Sequence, residues 1–179
     1  MKPLTPLLRI TKGTITLLLA LLLLCATACT VSYKLNGASI DYSRIKTISI
    51  KDFNNLAPLV YPPLAQKFTE DLREKFQSRT RLSLERDNGD LALEGEIVGY
   101  DLAPEAVQED AFAARTKLTM RIKVRYANKK NSKEDFEREF TAYTTFDSSQ
   151  MFTDVQDQLV AELTEDIIQQ IFNATVENW

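Results

Sequence analysis

From Lys117 to Tyr126 the chain reads KLTMRIKVRY, an unbroken alternation. Leu118, Met120, Ile122, Val124 and Tyr126 fall on one side, and Lys117, Thr119, Arg121, Lys123 and Arg125 on the other. A period of two with this contrast marks a strand with one buried and one solvated face. Any fold containing it must build a sheet covered on a single side and must supply the apolar layer that covers it. Asn128-Lys129-Lys130-Asn131 predicts a hairpin turn. The returning strand, Asp135 to Phe146, places Phe136, Phe140 and Ala142 on one face and Glu137, Glu139, Thr141 and Tyr143 on the other. Arg138 interrupts the apolar positions, which predicts a bulge or an edge strand.

The covering layer is legible as two helices. After three prolines (Pro58, Pro62, Pro63), Leu64, Phe68, Leu72 and Phe76 recur at every fourth position, opposite Lys67, Glu70, Asp71, Glu74 and Lys75. Pro63 suits a first helical turn. Near the C-terminus Thr153-Asp154-Val155-Gln156 predicts a capping box, leading a helix nearly to Trp179. Its stripe is Val155, Leu159, Leu163, Ile167 and Ile171, widened by Val160, Ile168 and Phe172. Ile45–Phe53 predicts a first strand, and Leu82 and Leu84 a short extended piece before the turn at Asp87-Asn88-Gly89-Asp90. Leu91, Leu93 and Ile97 predict another strand, with Gly95 and Gly99 on the apolar face leaving room for a packed helix. Residues 101–114 read as a loop with partial helicity. The expected fold class is α+β: a two-layer α/β sandwich of order β-α-β-β-β-α. Two helices pack on one face of a mostly antiparallel sheet, and the other face stays free.

The N-terminus is a separate matter. Lys2, Arg9 and Lys12 precede an apolar run from Ile15 through Ala26 that is too short to cross a bilayer comfortably. The alternative is an uncleaved anchor. Ala26-Thr27-Ala28-Cys29 is similar to a bacterial lipobox, whereas Cys25 follows Leu22, Leu23 and Leu24 and does not fit one. This reading makes residues 1–28 a lipoprotein signal peptide and 29–44 a lipidated N-terminus and linker. Residues 45–179 form the folded domain. Acyl chains on Cys29 would attach the protein to a membrane, each buried CH₂ contributing roughly 0.8 kcal/mol.

Removing that leader changes the charge. The whole chain carries 22 basic and 25 acidic residues; without Lys2, Arg9 and Lys12 the balance is 19 to 25. An acidic surplus disfavours nucleic acid as a partner, since phosphate binding needs a basic one. The sequence contains no histidine and, besides Cys25 and Cys29, no cysteine. General acid–base catalysis, nucleophilic dyads and most transition-metal sites lean on those residues. The expectation is therefore no enzyme, no metal and no cofactor.

Two surfaces are candidates for function. The basic face Lys117, Arg121, Lys123 and Arg125, extended by Lys129 and Lys130, reads either as cross-strand ion pairing with Glu137 and Glu139 or as a surface for phosphorylated glycolipid headgroups. The apolar loop residues Leu56, Pro58, Leu59 and Tyr61, with Met151 and Phe152, read either as partner contacts or as staples folding onto the adjoining helices. Glu94 and Glu96 read as polar outer-face residues, Asp87, Asn88 and Asp90 as a turn without calcium-loop spacing, and Asn173-Ala174-Thr175 as an unused sequon.

Several segments together resemble one family. They are the lipobox at Cys29, VSYKLNGASI, KTISIKDFNNLAPLV, LAQKFTEDLREKFQSRTRLSL, NGDLALEGEI, LTMRIKVRYANKK, FDSSQ and the terminal ENW. They resemble LptE, the outer-membrane lipoprotein of lipopolysaccharide assembly. The resemblance implies a domain that plugs the LptD β-barrel in a 1:1 complex, helps it assemble and assists lipopolysaccharide delivery to the outer leaflet. The location it implies is the outer membrane, facing the periplasm or inside the barrel lumen. It further implies basic lipopolysaccharide contacts near the start of the central hairpin, where Arg115 stands, and before the last helix. There FDSSQMFTDVQD holds no Lys or Arg. The opening strand–loop–helix also resembles periplasmic lipoproteins of curli export or transporter-auxiliary type, which self-oligomerise or dock on transporters.

Overall fold

One-sided alternation does become a one-sided sheet. The computed structural model describes residues 40–59, 61–105 and 114–176. Its elements in chain order are β1 (Thr47–Ile50), β2 (Asn54–Asn55), α1 (Leu64–Arg79), β3 (Ser83–Glu85), β4 (Leu91–Pro104), β5 (Arg115–Asn128), β6 (Phe136–Asp147) and α2 (Phe152–Val176), with a 3-10 turn at Ser132–Glu134. The sheet order is β3-β1-β4-β5-β6, and β2 pairs with β4 as well. Strands β4, β5 and β6 are antiparallel. β1 runs parallel to both β3 and β4, and β2 runs parallel to β4. The sheet is thus mixed, because α1 returns the chain to the end where β1 began, and such a crossover yields parallel neighbours.

Both helices cover the same face. Leu64, Phe68, Leu72 and Phe76 of α1 and Leu163, Ile167 and Ile171 of α2 are fully buried, together with Leu118, Met120, Ile122 and Val124 of β5. The helices run parallel to each other. Tyr61, just before α1, donates to Asp157 near the start of α2. Lys75 donates to Gln169 at 2.6 Å, and the rings of Phe76 and Phe172 meet edge-on at 5.2 Å. Both helix N-termini therefore lie at one end of the sheet with the loops that precede them. At the opposite end sits the β5–β6 turn, where Ile40, Arg44 and Ile45 line a cavity with Tyr126, Lys130 and Ala174.

Several local expectations change. The Gly95 position does not receive a helix: a side chain there would overlap the Lys123 carbonyl and the ring of Phe53, which crosses the strand at that point. Gly99 lies on the polar face, because the β4–β5 register slips between Ile97 and Gly99. A side chain at 99 would overlap the Arg121 guanidinium. The slip is a β-bulge, and one extra residue exchanges the two faces of everything after it. It turns Tyr100 into the core, where it is fully buried. Residues 101–104 extend β4 and are not a loop, and residues 106–113 lie outside the described chain. The capping box at Thr153–Gln156 does not form. α2 already begins at Phe152, and the Gln156 amide donates instead to the Tyr100 hydroxyl at 2.9 Å. α2 is described to Val176, so its expected run to Trp179 falls outside the described residues. Arg138 needs no bulge. β6 is the edge strand in unbroken register, and the guanidinium lies 5.3 Å and 5.9 Å from the rings of Phe136 and Phe140.

Asp90 ties the hairpin end together. Its carboxylate accepts the backbone N–H of Lys46 at 2.9 Å and of Thr47 at 3.3 Å, and pairs with Lys130 at 3.0 Å. The Lys46 N–H, then the Lys130 ammonium and the Thr47 N–H, hold its pKa down at about 2 against an ordinary 3.8. A carboxyl lowered on folding stabilises the fold above its unfolded pKa and loses that contribution as pH falls through the folded one. Urea midpoints of the parent chain and Asp90→Asn should therefore differ by a constant amount above about pH 5, converge as pH falls through 3.8 and then 2, and coincide by about pH 1. A difference that persists unchanged to about pH 1 would show that the carboxylate charge is not what matters.

Candidate functional site: a charge-paired sheet face and an apolar loop end

The open face of the sheet holds the basic residues of β5, but as a ladder and not as a cluster. The basic residues of the strand run from Arg115 to Arg125, so at about 3.4 Å per residue they are strung over roughly 34 Å. Most meet a carboxylate. Lys123 pairs with Glu137 at 2.6 Å, Arg121 with Asp101 at 2.9 Å and Arg125 with Glu94 at 3.4 Å. Glu94 also takes Lys51 at 2.7 Å, and that ammonium lowers its pKa. Arg115 lies 3.6 Å from Glu105 and donates to Thr145. Lys130 belongs to Asp90 at the far end, and Lys129 beside it donates its backbone N–H to the Asp90 carbonyl. Lys117 differs: its ammonium sits 5.5 Å over the ring of Tyr143, a side chain 65% exposed. Exposed ion pairs of this kind are screened by water and contribute little to stability. Their stronger effect is to cancel charge along most of the face and leave Lys117, on the Tyr143 ring, at the loop end beside the Arg115–Glu105 contact.

The loop residues divide. Tyr61, Tyr100, Phe152 and Phe146 form a chain of rings with centroids 6.4, 6.5 and 5.7 Å apart. Leu59 packs against the core beside them. Tyr61 gives its hydroxyl to the Asp157 carboxylate, which raises its pKa to about 12 and keeps it protonated. Leu59, Tyr61 and Phe152 are thus staples. Leu56 and Met151 are not, with exposures of 61% and 69%. Pro58 lies between Leu56 and Leu59 in the bend leading to α1. Leu102 joins the exposed set because β4 runs on past the bulge, where the sequence pattern suggests a loop. The loop end therefore presents scattered apolar side chains, anchored beneath by an aromatic cluster and bordered by Lys117, Arg115 and Tyr143.

Tyr100 and Gln156 have no signal in the sequence, since neither the bulge nor the helix start is apparent there. The Tyr100 hydroxyl is buried with Gln156 as its donor, and burial raises its pKa. An orphaned buried hydroxyl costs about 1–3 kcal/mol. Gln156→Leu should lower the unfolding free energy by about that amount, and adding Tyr100→Phe should restore most of it. Additive losses in the double variant would show that the pair does not couple.

Among the described residues no group of acidic, histidine or cysteine side chains is placed to hold a metal ion. Fold and surface together define a small α+β module with a charge-paired open sheet face and exposed apolar side chains at its loop end. The family model "LptE: Lipopolysaccharide-assembly" matches residues 45–175, and the chain belongs to that family. No curated protein matches. Among solved structures, a minor lipoprotein from Acinetobacter baumannii is similar at 14% identity and a TM-score of 0.51, covering 75% of this chain and 94% of that one. The hypothetical protein CT253 from Chlamydia trachomatis is similar at 9% identity and a TM-score of 0.51, covering 73% and 98%. These two likenesses concern the fold.

Proposed function

We propose that this protein is a non-catalytic lipoprotein of the outer membrane, tethered through acyl chains on Cys29. In this reading it plugs and helps assemble an LptD-like β-barrel in a 1:1 complex and assists delivery of lipopolysaccharide to the outer leaflet. The observation that carries the reading is the family match across nearly all of the folded domain. The exposed Leu56, Leu102 and Met151 support it, because side chains of this kind gathered at one end suit a protein contact. Pro58 borders them, while Leu59, Tyr61 and Phe152 hold the loops in place from below. Pull-down of the full chain from detergent-solubilised outer membrane should recover one large barrel in equal amount. A homo-oligomer recovered without a barrel would favour the ring-forming or transporter-docking alternative instead.

Lipopolysaccharide contact, in this proposal, falls first to Lys117 at the loop end, with Arg115 beside it in a longer, 3.6 Å pairing to Glu105. Arg121, Lys123 and Arg125 are occupied by carboxylates, and Lys129 and Lys130 stand at the far end of the strand. Charge reversal of Lys117, Arg121 and Lys123 to Glu together should weaken lipopolysaccharide binding and lower thermal stability. Unchanged binding with lowered stability would leave the ion pairs of Arg121 and Lys123 and the Lys117–Tyr143 contact as the sole roles of these residues.

A further inference from the structure

The two edges of the sheet are unlike. β3 is three residues long, too short to recruit another strand. β6 is twelve residues long and pairs only with β5 among the described residues. In an antiparallel pair the N–H and C=O of one residue point the same way, and successive residues alternate. The Thr141 carbonyl accepts from Gln170 of α2, and the Thr145 carbonyl from Arg115. The Ser148 N–H reaches the Ala114 carbonyl across the pair, which assigns the even positions to β5. The odd positions Glu139, Thr141, Tyr143 and Thr145 therefore direct their backbone groups outward. Natural edge strands of this length are blunted by proline, bulges or charges. From Thr141 to Phe146 this one has none of them.

Beside that stretch runs a groove between β6 and α2, floored by Phe146, Val155 and Leu159 and rimmed by Thr145, Gln158 and Glu162. On α2, Gln158, Glu162, Asp166 and Gln170 recur at every fourth residue and are all exposed, so they flank the edge in one row. Glu162 and Asp166 make this row acidic, and none of the ion pairs among the described residues uses either of them. The cations nearby are committed: Arg138 to two phenylalanine rings and Arg115 to Glu105 and Thr145.

We infer that the Thr141–Phe146 edge of β6 is a strand-addition site for an extended polypeptide segment carrying basic residues at alternate positions. The incoming backbone pairs with the outward groups of Thr141, Tyr143 and Thr145, displacing the Gln170 and Arg115 side chains from the Thr141 and Thr145 carbonyls. Its basic residues are the helix-facing ones: their methylene stems rest on Val155 and Leu159 and their charged ends meet Glu162 and Asp166. Main-chain hydrogen bonds then supply affinity and the acidic flank supplies selection. The inference is independent of the barrel reading.

The test uses the full chain in detergent micelles and a synthetic alternating Lys-Val peptide about nine residues long, a strand's length. Amide hydrogen exchange at Tyr143 and Thr145 should slow by roughly tenfold or more on adding it, and a matching Glu-Val peptide should have no effect. Tyr143→Pro removes an outward donor and leaves the β5 ladder intact; it should abolish the protection. Glu162→Lys combined with Asp166→Lys, on an exposed helix face, should weaken peptide binding about tenfold even if the proline variant folds poorly. Three results would overturn the inference: no protection by the Lys-Val peptide, equal protection by the Glu-Val peptide, or protection that grows with protein concentration alone. The last would mean that a second copy occupies the edge.

Discussion

Everything in this protein is arranged around the need to bury one face of β4, β5 and β6 while leaving the other wet. The apolar residues of β5 demand a cover, and among the described residues the stripes of α1 and α2 supply it. Burying side chains of that size contributes about 1.5–3 kcal/mol each, far more than any ion pair on the open face. The charged ladder of Lys51, Glu94, Arg125, Glu137 and Lys123 is therefore a consequence of the fold and not its cause. Opposite charges on neighbouring strands let a flat, solvated face carry many ionic groups without repulsion.

Because both helices lie on the same face and run parallel, their starts and the loops before them are forced to one end. That end has two layers of residues with different work. Tyr61, Tyr100, Phe146 and Phe152 are bound to one another and to α2, which makes the loop positions definite. Leu56, Leu102 and Met151 stand outside this cluster in water. The chain enters at the opposite end, where Ile40 and Ile45 are buried and Asp90 clasps the start of β1 to the β5–β6 turn. Entry and apolar loops are thus separated by the length of the sheet.

Much of this architecture is legible in the amino-acid sequence. Period-two and period-four patterns name the strand pair and both helices, since hydrophobic burial dominates where contrast between faces is strong. Arg138 correctly signals an edge. The candidate surfaces are harder to read. Seven basic residues look like one patch in the sequence, but strand geometry spreads them along the whole of β5. Leu59, Tyr61 and Phe152 look no different from Leu56 and Met151 as letters, and only packing separates the anchors from the exposed ones.

The sequence by itself determined that the sheet would have one buried face, which helices would cover it, and which residues would line the core of β5. It also carried the family, through ordered segments along the domain. Tertiary structure decided the rest. A single bulge at Ile97–Gly99 reversed the facing of β4, placed Tyr100 inside and drew Gln156 away from its expected cap. The α1 crossover made half of the sheet parallel. Neither is visible locally, because register and strand order are set by pairing between residues far apart in the chain, and a slip of one residue has no sequence signature of its own.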